Sequence, residues 1–346
     1  MSIILKRLFQ IKNILILIAL LLSAEILLRI TSPKPYEIEY PHFWETNFQY
    51  DRYFGWVGKS NFTVNLKPFG FENIAFDDRG FPVIPNIKND KIKNEKKILF
   101  IGSCDIYGGP MIGAEKGYIN LLAHEVRDYL DFETIGVSGY LLYQRYLLNK
   151  KFNTGGNNLV IVFFCPTFDF YLNTDFFMHK FGNRLVPCPQ RQDDKITHDP
   201  VSYIKSYWEY KEPFGERFSF KEKLFLNCYC LSKIIGLWID KKSFDINLTK
   251  SIIKALEIDV KNKGGKLALL IANWNPDTLD PHLKVITDEF VTWLTQNDVG
   301  VIDVREKLIG YSLAKFGDPT HINFEGHEII KNEIRSYLRN NGLVGD

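Results

Sequence analysis

A cysteine, an aspartate and a histidine are spaced in this chain as a covalent acyl-transfer site would need them. Cys104 follows the apolar run Ile98-Leu99-Phe100-Ile101, within Gly102-Ser103-Cys104-Asp105-Ile106-Tyr107-Gly108, and Asp318-Pro319-Thr320-His321 stands near the far end. An apolar strand ending in a glycine turn presents a side chain at a sheet edge, and a histidine held by a carboxylate is the general base that activates it. A thiol yields its proton to such a base more readily than a hydroxyl does. Cys104 therefore reads as nucleophile, His321 as general base and Asp318 as the carboxylate that orients it. Ser103 is the alternative nucleophile. Using it requires a one-residue shift in the turn, which reverses side-chain direction at a strand end.

The elements that must position these residues are legible as alternating patterns. Apolar runs at Ile98–Ile101, Phe132–Ile135, Leu159–Phe164, Lys266–Ile271 and Gly300–Asp303 predict strands buried on both faces. Between them, apolar residues at helical spacing predict helices over Tyr118–Leu130, Leu141–Lys150, Ser251–Asn262, Leu283–Asn297 and Gly326–Asn341. Such alternation implies an α/β fold: a flavodoxin-like three-layer sandwich around a five-stranded parallel sheet, with functional residues at the carboxyl ends of the strands. Cys104, Cys165-Pro166-Thr167 and the loop carrying Asp318 and His321 all fall at such ends.

These residues carry a resemblance. The chain, from about residue 96 onward, resembles the SGNH (GDSL-type) hydrolases of the membrane-anchored bacterial kind. Where the family has Gly-Asp-Ser, this sequence has Gly102-Ser103-Cys104, which puts Cys104 at the nucleophile position. Ile135-Gly136-Val137-Ser138-Gly139-Tyr140 matches the second block, whose glycine, here Gly139, the resemblance makes an oxyanion donor together with the Cys104 N–H. The third block, Gly-x-Asn-Asp, is replaced by Cys165-Pro166-Thr167-Phe168-Asp169, with Phe168 in place of the oxyanion asparagine and Thr167 as its candidate substitute. The last block is complete at Asp318 and His321, followed by Ile322-Asn323-Phe324-Glu325-Gly326-His327. The resemblance implies an esterase or O-acyltransferase acting on acyl, chiefly acetyl, esters of extracytoplasmic glycan through Cys104, His321 and Asp318, without cofactor or metal. The alternative it leaves open is a catalytically degenerate member serving as a glycan-binding or assembly component of an export or acetylation complex.

The first third of the chain reads differently. Residues 1–12 form a short tail with Lys6, Arg7 and Lys12, and 13–31 is an apolar segment expected to be a transmembrane anchor. The preceding basic residues place the tail in the cytoplasm and the remainder in the periplasm or outside. A cleaved signal peptide is the rival reading. Residues 32–95 read as an extended segment that packs on the main domain through Tyr53-Phe54-Gly55-Trp56 and Phe69-Gly70-Phe71, ending in a charged linker. A stretch at about 173–247, rich in Tyr and Trp, interrupts the alternation and reads as a helical insertion or cap. Length and composition, 346 residues with 45% hydrophobic, allow a large core. Forty-three basic against 41 acidic residues leave no electrostatic footprint for nucleic acid. Cys104, Cys165, Cys188, Cys228 and Cys230 include no pairs at zinc-site spacing.

Overall fold

The computed structural model describes residues 48–51, 53–64, 73–85, 87, 96–170, 189–192, 195–198, 246–273, 281–314 and 318–345, with isolated positions 13, 20 and 23. From residue 46 onward the described elements belong to one of two units of the chain, formed by 46–205 and 245–346. The other unit, 1–45 with 206–244, lies outside the described residues apart from those three positions.

The centre of the fold is a five-stranded parallel sheet: β1 (Lys97–Gly102), β2 (Asp131–Gly136), β3 (Leu159–Phe164), β4 (Lys266–Ile271) and β5 (Gly300–Asp303). Its spatial order is β5-β4-β3-β1-β2, the doubly wound order of flavodoxin-like sheets. The inner strands are apolar on both faces and almost fully buried, as expected of strands covered by helices on either side. Five helices provide that cover: α1 (Tyr118–Val126), α2 (Leu142–Phe152), α3 (Ile246–Asn262), α4 (Pro281–Gln296) and α5 (Phe324–Asn340). The chain steps from β1 to β2 on one side, then back across β1 to β3. Right-handed crossovers therefore put α1 on one face and α2 on the other. In agreement, α5 packs against α1 and α3 against α2.

Each helix buries the stripe its sequence marks out. Ile119, Leu122 and Val126 of α1 face inward, as do Ile252, Ile253, Leu256 and Val260 of α3 and Ile330, Ile334 and Leu338 of α5. Helix α1 is shorter than expected, ending at Val126 with Leu130 in the turn that enters β2. Helix α3 starts more than a turn before Ser251.

The extended segment before β1 folds onto the domain as short antiparallel pairs, Phe48–Asp51 with Gly55–Gly58 and Thr63–Val64 with Ile74–Ala75. Its expected anchor is in place. Phe54 is buried and its carbonyl accepts from Gln144 Nε2 at 2.6 Å, while Trp56 Nε1 donates to the Ser138 carbonyl at 3.2 Å and the Tyr140 hydroxyl donates to the Trp56 carbonyl. Phe69-Gly70-Phe71 and most of the charged linker lie outside the described residues.

In the 173–247 stretch, expected to be helical, the described residues are two antiparallel strands, Pro189–Gln192 with Lys195–His198, and the first two residues of α3. The two strands carry no apolar alternation from which a hairpin could be read. Tyr203, Tyr207, Trp208, Tyr210, Trp238, Cys188, Cys228 and Cys230 lie outside the described residues. So does the anchor expected at 13–31, apart from positions 13, 20 and 23. Among the described residues no helix is long and apolar enough to cross a membrane.

Candidate active site

The site forms where β1 ends, between its two neighbours β2 and β3, from which the chain departs in opposite directions. That is the crevice in which doubly wound sheets bind ligands. Strand β1 closes on Gly102, where a Cβ would lie 2.3 Å from Ile106 Cγ2 and 2.7 Å from Asp105 Oδ2. A glycine is therefore needed for the chain to fold back into the short 3-10 turn Cys104–Tyr107. The turn is tied by the Ser103 N–H donating to Asp105 Oδ1 at 2.7 Å, and Asp105 Oδ2 accepts from the Tyr118 hydroxyl of α1 at 3.1 Å.

His321 arrives from the other end of the sequence. It lies in the strand Asp318–Ile322, which pairs with Ser312–Leu313. Immediately afterwards Asn323 caps α5, its side chain accepting from the Gly326 N–H at 2.9 Å. This short, doubly fixed segment holds the imidazole so that His321 Nε2 is 3.4 Å from Cys104 Sγ. Two residues 217 positions apart in sequence thus meet as thiol and base. Asp318 lies three residues before His321 in the same strand, and its side chain falls outside the described atoms.

Gly109 supplies the space for the histidine. Its φ is +69°, and a Cβ there would lie 3.0 Å from His321 Cδ2. Gly109→Ala is expected to strain the turn by about 1–2 kcal/mol and to push the ring away from Cys104. Acylation of Cys104 should slow by less than the roughly 10²-fold that a misplacement of about 1 Å costs, because a contact of 3.0 Å is relieved by a shift of a few tenths of an ångström. Comparing the acylation rate with the thermal unfolding midpoint separates the two effects.

The other sequence-derived candidates divide. Ser103 Oγ is 3.9 Å from Cys104 Sγ and accepts a hydrogen bond from the Gly139 N–H at 2.9 Å. Gly139 lines the cleft, and its amide is engaged by Ser103 rather than left open for an oxyanion. Thr167 is exposed and is not among the residues lining the cleft, whereas Phe168 is. The short helix Pro166–Asp169 turns Thr167 outward, so this residue does not replace the missing asparagine.

The cleft itself has a volume of about 110 Å³. Tyr140, Leu141, Phe163, Phe168, Ala272 and Ile330 make most of its wall apolar, with Cys104 and His321 also on its lining. Its base rests on a feature that sequence reasoning missed, the buried pair Arg145–Asp169 (Nη1 to Oδ2, 2.7 Å). Asp169 was visible only as the last residue of an altered motif. Nothing in the sequence near Arg145 marks it as its partner.

Two titratable groups on the lining of the cleft oppose one another. Asp105 keeps a partial opening but lies deep among protein atoms, and burial raises its pKa to about 6 against the pull of Arg145, the Ser103 N–H and the Tyr118 hydroxyl. His327 of α5 accepts from the Tyr118 N–H through Nδ1 at 3.3 Å. Burial first, and then the charge of His321, depress its pKa to about 3.

The native state holds a proton on Asp105 more tightly than the unfolded chain does, so this group lowers stability as pH rises from about 3.8 to about 6. His327 does the reverse, costing stability as pH falls from about 6.5 towards 3. Between pH 4 and 6 the two slopes oppose. Asp105→Asn is therefore expected to stabilise the protein at pH 8 by about 1–3 kcal/mol and to make its loss of stability below pH 6 steeper than that of the parent. Urea unfolding across pH 4 to 8 checks both signs.

No protein-family model matches the chain, and no curated protein matches it. Solved structures similar to it include a G-D-S-L-family lipolytic protein from Desulfitobacterium hafniense DCB-2, at 10% identity over 70% of this chain and 98% of that one, TM-score 0.41. TesA is similar at 11% identity over 72% of this chain and 100% of its own, TM-score 0.41. A carbohydrate esterase whose active site displays divergent catalytic and non-catalytic binding functions aligns at 10% identity over 86% of this chain and 87% of its own, TM-score 0.37.

Proposed function

We propose that this protein is an SGNH-type acyl-ester hydrolase or O-acyltransferase in which Cys104 is the nucleophile and His321 the base. The observation that carries this reading is the 3.4 Å contact between Cys104 Sγ and His321 Nε2 beside a small apolar cleft at the β1 switch point. His321 Nε2 takes the thiol proton as sulfur attacks the acyl carbonyl, forming a C–S bond. The ester C–O bond then breaks, and the departing alcohol oxygen takes that proton from His321. A water or an acceptor hydroxyl next loses its proton to His321 and attacks the thioester. The C–S bond breaks and the proton returns to sulfur. Hydrolysis and transfer share this intermediate and differ only in the second nucleophile. Asp318 is assigned the orientation of His321 from the Asp-x-x-His spacing alone.

The substrate class we assign is a short acyl ester, acetyl foremost, on glycan outside the cytoplasm. A cleft of about 110 Å³ with an apolar wall suits a small acyl group. The apolar run Ile14–Leu22 after Lys6, Arg7 and Lys12 supports an anchored, extracytoplasmic placement.

The full chain is incubated with an aryl acetate beside Cys104→Ala, and intact-protein mass spectrometry follows. One acetyl group on Cys104, absent from the variant, is expected, and adding a hydroxyl-bearing oligosaccharide that becomes acetylated separates transfer from hydrolysis. A folded protein that gains no acetyl group and turns over no ester would defeat the catalytic reading in favour of a binding role.

A further inference from the structure

We propose that Ser103 is a positioning residue for Cys104, its hydroxyl accepting from the Gly139 amide and directing its own proton toward the reacting sulfur. This inference rests on the Cys104–His321 reading above and adds to it a residue that the sequence offered only as a rival nucleophile.

The observations are geometric. Ser103 and Cys104 are 5% and 6% exposed, so their polar atoms cannot rely on bulk water. The Gly139 N–H reaches Ser103 Oγ at 2.9 Å, a full-strength hydrogen bond that occupies one lone pair of the hydroxyl. A serine hydroxyl has a single proton to give, and Cys104 Sγ, at 3.9 Å, is the partner within reach. The serine main chain is fixed as well, because its N–H is held by Asp105 Oδ1 at 2.7 Å. Chains of hydrogen bonds polarise one another, so a hydroxyl that already accepts from an amide becomes a better donor. The contact to sulfur is long in the resting thiol. It strengthens when sulfur carries charge, since hydrogen bonds to ions are shorter and about twice as strong as neutral ones.

The arrangement accounts for two departures at this site. Gly139 does not present its amide directly, and Phe168 supplies no donor at all. Ser103 restores one donor by standing between the Gly139 amide and the nucleophile. As sulfur attacks and charge moves to the carbonyl oxygen, rotation about the Ser103 C–O bond lets the same proton follow it. Ser103 forms no covalent bond and keeps its proton throughout.

The experiment reads thiolate formation and requires no substrate. Alkylation of Cys104 by iodoacetamide is followed from pH 5 to 10 in the full chain, with peptide mapping to separate it from Cys165, whose thiol burial pushes up. Parent, Ser103→Ala, Ser103→Thr, Ser103→Val and His321→Ala are compared. The serine variants leave unsubstituted the titratable groups that act on Cys104 or share its cleft: His321, Asp105 and Tyr107 of its own turn, Tyr118 of α1, Arg145 of α2 and His327 of α5.

Ser103→Ala is expected to raise the pH midpoint and slow alkylation near neutrality by about tenfold, with the high-pH plateau unchanged. Thr and Val have the same shape and differ by the hydroxyl, so Ser103→Thr should follow the parent and Ser103→Val the alanine variant. This pair decides the matter even if Ser103→Ala fails to fold. Coincident Thr and Val profiles would overturn the role of Ser103. A His321→Ala profile that matches the parent would instead overturn the Cys104–His321 reading, so the two failures are distinguishable.

Discussion

His321→Ala is expected to slow the acylation of Cys104 by about 10²–10⁴-fold, the range over which a positioned general base acts. The contact of 3.4 Å between Nε2 and Sγ is the reason. Among the described residues, the other histidine on the cleft does not substitute for it. His327 lines the same cleft, but it is buried, its Nδ1 accepts from the Tyr118 amide, and its depressed pKa makes it a poor proton acceptor at neutral pH. The loss should shrink as pH rises, because hydroxide generates the thiolate that His321 otherwise provides. Single-turnover acylation with an aryl acetate at pH 6.5 and pH 9.5 measures both the size of the effect and its pH trend. An equal loss at the two pH values would mean that the imidazole holds the substrate rather than takes the proton.

The largest loss of stability is expected from Asp169→Ala, about 3–5 kcal/mol, which is a large share of the 5–15 kcal/mol typical of a domain. The side chains of Arg145 and Asp169 are 3% and 0% exposed. Asp169 accepts from Arg145 at 2.7 Å, from the Cys165 N–H at 2.8 Å and from the Leu142 N–H at 2.8 Å, so one carboxylate joins the end of β3 to the start of α2. Arg145 in turn donates to the carbonyls of Phe163 at 2.7 Å and Tyr140 at 2.6 Å. Removing the carboxylate leaves a buried cation uncompensated and two amides without their acceptor. The double variant Asp169→Leu with Arg145→Leu should recover part of the loss, since a buried ion pair is worth less than the penalty for breaking it. Urea midpoints for the single and double variants, at unchanged denaturant slope, test this directly. Because Tyr140, Leu141, Phe163 and Cys165 all line the cleft, the single variant should also lose acylation before it loses its fold.

Much of the architecture was open to reading from the sequence. The strands at Leu159–Phe164, Lys266–Ile271 and Gly300–Asp303 occur with the boundaries their apolar runs predict, and the other two are one residue longer at each end. Strands buried on both faces have no alternative to near-continuous apolar composition, and helices lying on them must carry a 3.6-residue stripe. The alternation implies parallel strands joined by helical crossovers of one hand, whereas the order β5-β4-β3-β1-β2 is set by the tertiary fold. The nearness of Cys104 and His321 was legible for a related reason. Both sit after strands of one sheet, and carboxyl ends of parallel strands point the same way.

Tertiary structure alone decided the rest. The bond from Gly139 to Ser103, the outward turn of Thr167 and the burial of Asp105 depend on how three loops meet, at angles no local pattern encodes. Arg145 and Asp169 lie 24 positions apart, and neither has a neighbour in sequence that marks it as half of an ion pair. The hairpin at 189–198 escaped notice because its short polar strands lack the apolar alternation that betrays a half-buried sheet. Periodicity reports burial, so it revealed the core and the sheet. Polar contacts between distant loops leave no periodic trace, and it is these contacts that set the chemistry of Cys104.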